Sequence, residues 1–316
     1  MKYLPRLIII IVIVYFLSWI FYAGFENGYK KYYRHQSERM HELFEESEKY
    51  DVLFLGSSRV HLHLNPRIFD SITGLRSYNG GMEGANINEF KTVLQAYLLV
   101  HPAPLAVILN AEPSSFVLQR NFFRPSDYLA CLSNEEIAKS MASSGFPVKL
   151  YKIFPQFKFS QFDDYEKINA LKGLCGKKEI QDETYKGYLC NGTDSIINAV
   201  PDKEKNEFVI KDSAVEAFRS IVNICRQNKI KLIVTHGPEY MRMNEQRHPN
   251  YEAAVGLILS LCKAYKVPYL RHDDIAICHR KKYFRNVGHL NKYGADFYTE
   301  YLSRELINSA YLPLKK

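Results

Sequence analysis

The chain opens on an apolar run, LIIIIVIVYFLSWIFYA from Leu7 to Ala23, with no charge inside it and with Lys2 and Arg6 just before it. At about 1.5 Å rise per residue, a run of this length covers a hydrocarbon core of about 30 Å, so it predicts a membrane-spanning helix. Trp19 and Tyr22 suit the interfacial belt of such a helix, and the bulky Phe21, Tyr22 and Phe25 around Ala23 argue against a cleavable signal peptide. The expectation is an uncleaved anchor over 1–25. From Glu26 to Lys49, charges at helical spacing with interspersed aromatics and no Pro predict a helical stalk over 26–50.

After the stalk the period changes. DVLFLG (51–56), LAVILN (105–110) and IKLIVTHG (230–237) are continuous apolar runs bounded by turn residues, as expected of strands buried on both faces. RSYN before Gly80 and VPYL at 267–270 are shorter candidates. Amphipathic helices are expected at about 86–100, 213–228, 251–265 and 292–309. Strand and helix in alternation predict an α/β domain over 51–316, a parallel sheet with helices on both faces, and such sheets bind ligands beyond the carboxyl ends of their strands. The stretch from about 119 to 211 breaks the rhythm and is too long for a loop, so it reads as an insertion that caps or flanks the site.

Composition narrows the classes. With 316 residues, 47% hydrophobic and 24% charged, the chain is a folded protein. The net charge of +8 is spread out, with no basic stripe interleaved with aromatics, so no nucleic-acid partner is expected. Tyr (23) and Phe (19) against one Trp suit a large core or a carbohydrate-facing surface. Of six cysteines, Cys225 and Cys262 recur at helical spacing with core residues, whereas Cys175 and Cys190, in a Gly-rich stretch, are the best candidates for a disulfide. No Cys/His spacing suggests zinc, and no metal or organic cofactor is implied. Asn191-Gly192-Thr193 is a glycosylation sequon if the host glycosylates exported chains.

The residues that carry chemistry sit at predicted strand ends. Gly56-Ser57-Ser58-Arg59 closes the first strand, Asn79-Gly80-Gly81-Met82-Glu83-Gly84 follows the second, and Asn110-Ala111-Glu112 closes the third. Asn286-Val287-Gly288-His289-Leu290-Asn291 precedes the last helix. Each has a plainer use: Gly-Ser-Ser as a helix N-cap, the glycines as turns, His289 as a packed histidine. Converging at one sheet edge, they supply a nucleophile, N–H donors and a base, which acyl transfer requires. His61 and His63 read as solvated residues entering a helix, and His236 as a residue that could line the cleft. GSSRV lacks the last glycine of a Gly-x-Ser-x-Gly elbow, which argues against an α/β-hydrolase fold.

In order and spacing these blocks resemble the SGNH/GDSL hydrolase superfamily. Gly56-Ser57-Ser58 matches its strand-end Gly-Asp-Ser, Asn79 through Gly84 its Asn-x-x-x-x-Gly, and Asn286 through Asn291 its Asp-x-x-His-x-Asn. The resemblance implies a three-layer, flavodoxin-like parallel sheet in which Ser58 rather than Ser57 is the nucleophile and His289 the general base. It implies oxyanion donors from the Ser58 and Gly84 N–H groups and from Asn110, the best match to the family's third-block Asn. Asn286 stands where the family has its acid. In serine proteases the same Asp-to-Asn exchange costs about 10⁴ in kcat, so a Ser–His dyad, a substitute acid (Asp273, Asp274 or Asp296) and a non-catalytic relative all stay open.

The Gly-Ser-Ser form, the anchor and HLNKYGADFYTEYL further resemble the membrane-anchored branch of that superfamily, with its teichoic-acid D-alanyl transfer proteins and bacterial polysaccharide O-acetylation proteins. That branch implies a transferase or esterase acting on acetyl-like esters of a cell-surface glycan beside a membrane-bound O-acyltransferase. The alternative it leaves is a non-catalytic accessory subunit that binds glycan or that acyltransferase, and a plain secreted lipase or esterase is a further rival. Lys30, Lys31 and Arg34 compete with Lys2 and Arg6 in the charge rule for orientation. The short tail before a single span sets the expected topology: a cytoplasmic-membrane protein with its domain on the periplasmic or extracellular side.

Overall fold

Aliphatic runs between turn-forming ends make the strands of this chain, and the amphipathic stretches between them make its helices. A computed structural model describes residues 3–117, 121–179, 183–195, 207–241 and 247–314. In chain order, α1 (Leu4–Tyr32) and α2 (Arg34–Phe44) lead into β1 (Val52–Leu55), α3 (Ser58–His63), α4 (Pro66–Thr73), β2 (Ser77–Asn79), α5 (Ile87–Val100), β3 (Ala106–Asn110) and α6 (Pro113–Val117). Four helices follow: α7 (Pro125–Tyr128), α8 (Glu135–Ser143), α9 (Val148–Ile153) and α10 (Asp164–Leu174). The chain ends with the hairpin β4 (Thr184–Tyr185) and β5 (Tyr188–Leu189), then α11 (Asp212–Gln227), β6 (Lys231–His236), α12 (Tyr251–Ala264), β7 (Tyr269–Arg271), β8 (Phe284–Asn286), β9 (His289–Leu290) and α13 (Lys292–Asn308).

The chain forms two compact units, one from 1–45 with 124–181 and the other from 46–123 with 182–316. The second holds a five-stranded sheet in the order β2-β1-β3-β6-β7, every pairing parallel. This is the flavodoxin-like order, which reverses direction between β1 and β3 and opens a crevice at the carboxyl ends of those two strands. Every residue of β1 and β3 is buried, as the unbroken apolar runs predict. With side chains alternating across the sheet, Val52, Phe54, Ala106, Ile108 and Ile233 join Phe69 of α4 and Leu302 and Leu306 of α13 in one core layer. On the other face, α5 packs against α11. The three-layer architecture expected from the sequence is therefore present.

In the first unit, α1 is long and apolar enough to cross a membrane, and only 6% of its most apolar stretch is buried. It continues without a break into the stalk and ends at Tyr32, after which α2 begins. Past the apolar run, α1 packs backbone to backbone on α10: a Cβ on Gly28 would overlap the Ala170 carbonyl oxygen, and one on Gly173 would overlap the Gly28 oxygen. An Asp163–Glu166 capping box starts α10. Residues 124–179 of the expected insertion thus belong with α1 and α2, while 183–195 belong with the sheet; its parts at 119–120, 180–182 and 196–206 lie outside the described residues.

Gly28→Leu is expected to cost about 1–3 kcal/mol by forcing α1 from α10, and to lower the thermal midpoint in detergent. Gly24→Leu, at a site with open space around it, should leave the midpoint unchanged.

Candidate active site

β1 ends at the tight Gly56, where a Cβ would meet Val60 and Asn110, and the chain turns at once into α3. The two serines at this turn have different jobs. Ser57 is the N-cap of α3: its Oγ accepts from the Arg59 N–H at 3.4 Å and donates to Glu112 Oε1 at 3.5 Å. Ser58, at the first helical position, directs its Oγ to His289 Nε2 at 2.9 Å.

His289 opens β9 in a short antiparallel hairpin with β8. Its Nδ1 lies 3.0 Å from Asn286 Oδ1, an oxygen that also accepts the Gly288 N–H at 3.0 Å. An amide oxygen can only accept, so Nδ1 carries the proton and Nε2 presents its lone pair to the Ser58 hydroxyl. The hairpin is strapped from outside by the segment after β5. Asn191 Nδ2 donates to the Leu290 carbonyl at 2.9 Å, the Lys292 N–H donates to Gly192 O at 2.7 Å, and Asn291 Nδ2 donates to Thr193 O at 3.2 Å. His63 supports it from below, accepting the Leu290 N–H on Nε2 at 3.0 Å with its ring 6.0 Å from that of His289.

The glycine block runs beside the end of β1, with the Gly80 and Met82 N–H groups donating to the Phe54 and Gly56 carbonyls, both at 2.8 Å. Asn79 Nδ2 holds the Val60 carbonyl of α3 and the Leu64 carbonyl just after it, both at 2.7 Å, and its Oδ1 accepts the Gly81 N–H at 3.0 Å. Gly84 has φ +63°, a left-handed conformation that favours glycine, and the Phe123 ring covers it so closely that no Cβ would fit. Among the described residues, neither the Ser58 nor the Gly84 N–H donates to a protein acceptor. Both residues line a cavity of about 230 Å³ together with Ser57, Arg59, Ala85, Glu112, Ser114 and His289. Asn110 is close by but does not line it; its Oδ1 accepts the Gly237 N–H at 2.8 Å, which ties β3 to the end of β6.

Behind the cavity runs a buried chain of alternating charge. Arg59 pairs with Glu112 and with Glu239, Arg247 pairs with Glu239, and Arg247 Nη1 reaches Asp273 Oδ2 at 3.0 Å. Arg271 closes the chain, on Asp273 at 2.7 Å and on Glu252 at 2.7 Å. Burial would raise Glu239, but Arg59 and Arg247 outweigh it and hold its carboxyl down to about 2. Glu112 goes the other way: burial raises it, the neighbouring Glu239 adds to this, and Arg59 offsets only part. Burial, with Arg59 next to it, lowers His289 to about 4, so the imidazole is neutral at ordinary pH.

Several expectations change. None of the three candidate acids supports His289: Asp273 is held by two arginines, Asp274 bonds His279 at 2.9 Å, and Asp296 accepts from Asn65 at 2.9 Å. His61 and His63 are buried rather than solvated, because α3 is wedged against β9 and α13. His236 does not line the cavity; it is fully buried between the Tyr251 and Tyr269 hydroxyls, at 2.9 and 3.2 Å. All six cysteines are free, with Cys175 ending α10 in the first unit and Cys190 following β5 in the second. Glu112, His236 and Glu239 place potential ligand atoms within 4.8 Å of one another, but the Arg59 guanidinium already supplies the cation for both carboxylates.

Two outcomes are expected in solution. Burial keeps His63, His236 and His289 well below their ordinary pKa, to about 4 for the last two. The unfolded chain therefore takes up protons that the native one refuses, and stability should fall as pH drops from about 6.5 toward 4, by up to about 1.4 kcal/mol per pH unit for each histidine in denaturant titrations. Arg59→Met leaves Glu112 and Glu239 buried without their shared cation and should cost about 3–5 kcal/mol by the same measurement.

No family model and no curated protein matches this sequence. Among solved structures, a Bacteroides fragilis protein assigned as an acylhydrolase aligns at 13% identity over 88% of this chain and 97% of its own, with a TM-score of 0.42. A GDSL-like lipase from Bacteroides thetaiotaomicron aligns at 13% identity over 82% of this chain and 88% of its own, with a TM-score of 0.37. Likeness at this level leaves the function to be argued from the chain's own geometry.

Proposed function

We propose that the chain is a membrane-anchored serine acyltransferase or esterase of SGNH type, acting on small, acetyl-like esters of cell-surface glycans. The reading rests on one line of hydrogen bonds, from Ser58 Oγ through His289 Nε2 and Nδ1 to Asn286 Oδ1. In the first half-reaction the Ser58 hydroxyl gives its proton to Nε2 and Oγ attacks the ester carbonyl. The Ser58 and Gly84 N–H groups receive the oxyanion. Collapse expels the alcohol, which takes the proton from Nε2, and leaves the acyl group on Ser58. A sugar hydroxyl or water then gives its proton to Nε2 and attacks the acyl-enzyme, and collapse releases Ser58, whose Oγ takes that proton back from Nε2. The small cavity, with serine, arginine, glutamate and histidine among its lining residues, favours a short acyl group on a hydroxyl-rich carrier. The apolar α1 supports the membrane anchor of this reading; a place in the cytoplasmic membrane, with the sheet-bearing unit on the periplasmic or extracellular side and a membrane-bound O-acyltransferase as partner, belongs to the same proposal.

Asn286 favours a second reading. Its amide fixes the tautomer but places no negative charge beside an imidazolium, and Arg59 opposes that cation further. A non-catalytic subunit that binds glycan or the acyltransferase would tolerate this. A fluorophosphonate probe separates the two: the acyl-enzyme reading expects labelling that Ser58→Ala abolishes, and absence of labelling from pH 6 to 9 would sink it.

The same geometry sets the pH profile. Because the base must be neutral, kcat/KM on a small ester should rise through about pH 4 and level off above it. Asn286→Asp keeps the tautomer and adds the missing charge, so it should raise kcat about 10-fold or more and move that rising limb to higher pH.

A further inference from the structure

We propose that α9 and the 3₁₀ turn after it form a second membrane-contacting element, a wedge that enters the lipid leaflet beside α1. This rests on the reading of α1 as a membrane anchor. Ring contacts fix where the wedge lies along that helix. Phe154 meets Tyr15 with centroids 5.6 Å apart, Phe159 meets Phe21 at 5.6 Å and Phe25 at 4.9 Å, and Phe162 meets Phe25 at 4.9 Å and Tyr29 at 5.0 Å. The chain from Phe154 to Phe162 therefore climbs α1 from the middle of its apolar run to beyond the end. Tyr15 precedes Ala23 by eight residues, about 12 Å along the axis, so a bilayer that covers Leu7 to Ala23 also reaches Phe154.

The side chains on this segment suit that depth. Leu150, Ile153 and Phe157 are exposed by 37, 64 and 50%. Facing water, each leaves exposed apolar surface that lipid would cover. From Val148 to Phe162 the sequence VKLYKIFPQFKFSQF has no acidic residue and three lysines. Lys149 and Lys152 are exposed on long stems that can carry their charge up to the headgroups, and Lys158 donates to the Leu129 carbonyl at 2.9 Å. Lipid offers no hydrogen bonds, and along the segment backbone N–H groups find local acceptors, Tyr151 on Pro147 and Phe154 on Leu150, then Phe157 on Phe154 and Phe162 on Phe159. The first carboxylates, Asp163 and Asp164, come where α10 begins and the chain has passed the end of the apolar run. A basic, acid-free apolar segment at the level of a spanning helix is the composition of an interfacial anchor, and the bilayer is the partner it fits.

The single Trp19 makes the test direct. The full chain is reconstituted into phosphatidylcholine–phosphatidylglycerol vesicles with and without doxyl-labelled lipid. Trp19 in the native sequence reports α1, and Phe157→Trp in a Trp19→Phe background reports the wedge. Both are expected to emit blue-shifted fluorescence and to lose emission when labelled lipid is present. If Trp19 is quenched and Phe157→Trp is not, the wedge contacts water or protein and the proposal is overturned while the anchor stands. If Trp19 itself escapes quenching, the anchor fails and the wedge with it. Ile153→Trp in the same background gives the same reading should the Phe157 variant not fold.

Discussion

A guanidinium taken out of water must be met by carboxylates, and Arg59 is met by two that come from different strands. Arg59 follows β1, Glu112 follows β3 and Glu239 follows β6, so one cation binds three neighbouring strand ends at the edge where the crevice opens. Arg247 and Arg271 extend the arrangement through Asp273 toward β7. The wall of the cavity is thus built from charges that satisfy one another, which leaves the neutral hydroxyl of Ser58 and the neutral ring of His289 facing open space.

The nearness of Arg59 also sets what His289 can do. It lies one residue after Ser58, and with burial it keeps His289 neutral, its Nε2 unprotonated, at ordinary pH. An imidazole held that low is always ready to accept a proton, yet it gains little from accepting. Asn286 does not correct this, since its amide oxygen fixes the ring and contributes only a dipole. Tautomer and charge, which a carboxylate would supply together, are separated here, and only the first is provided by the side chain behind the histidine.

Much of this was legible in the sequence because it depended on local pattern. Buried parallel strands leave unbroken apolar runs, so β1, β3 and β6 could be read from pattern alone, whereas the choice of Ser58, Gly84 and His289 rests on the resemblance of their blocks to the SGNH/GDSL superfamily. The Gly-Ser-Ser turn could be read as a cap or as a nucleophile; Ser57 caps α3, and Ser58 is the serine that reaches His289. What stayed hidden depended on partners distant in sequence. His61 and His63 look solvated until α13 and β9 are laid over α3. Residues 124–179 carry no period that ties them to α1; the close approach of Gly28 and Gly173, on helices more than a hundred positions apart, shows up only in the fold. Arg59 sits inside the quoted motif, but nothing nearby announces that Glu239 will share it.

The strap across the histidine hairpin has a consequence for how the protein is made. Asn191 spends its side-chain nitrogen on the Leu290 carbonyl, next to the base. That nitrogen is also the atom an oligosaccharyltransferase would modify within Asn191-Gly192-Thr193. A sugar attached before folding would leave that nitrogen a single N–H and put bulk where the strap must lie. In a eukaryotic secretory host, N-glycan attachment and a correctly seated imidazole would compete for one amide.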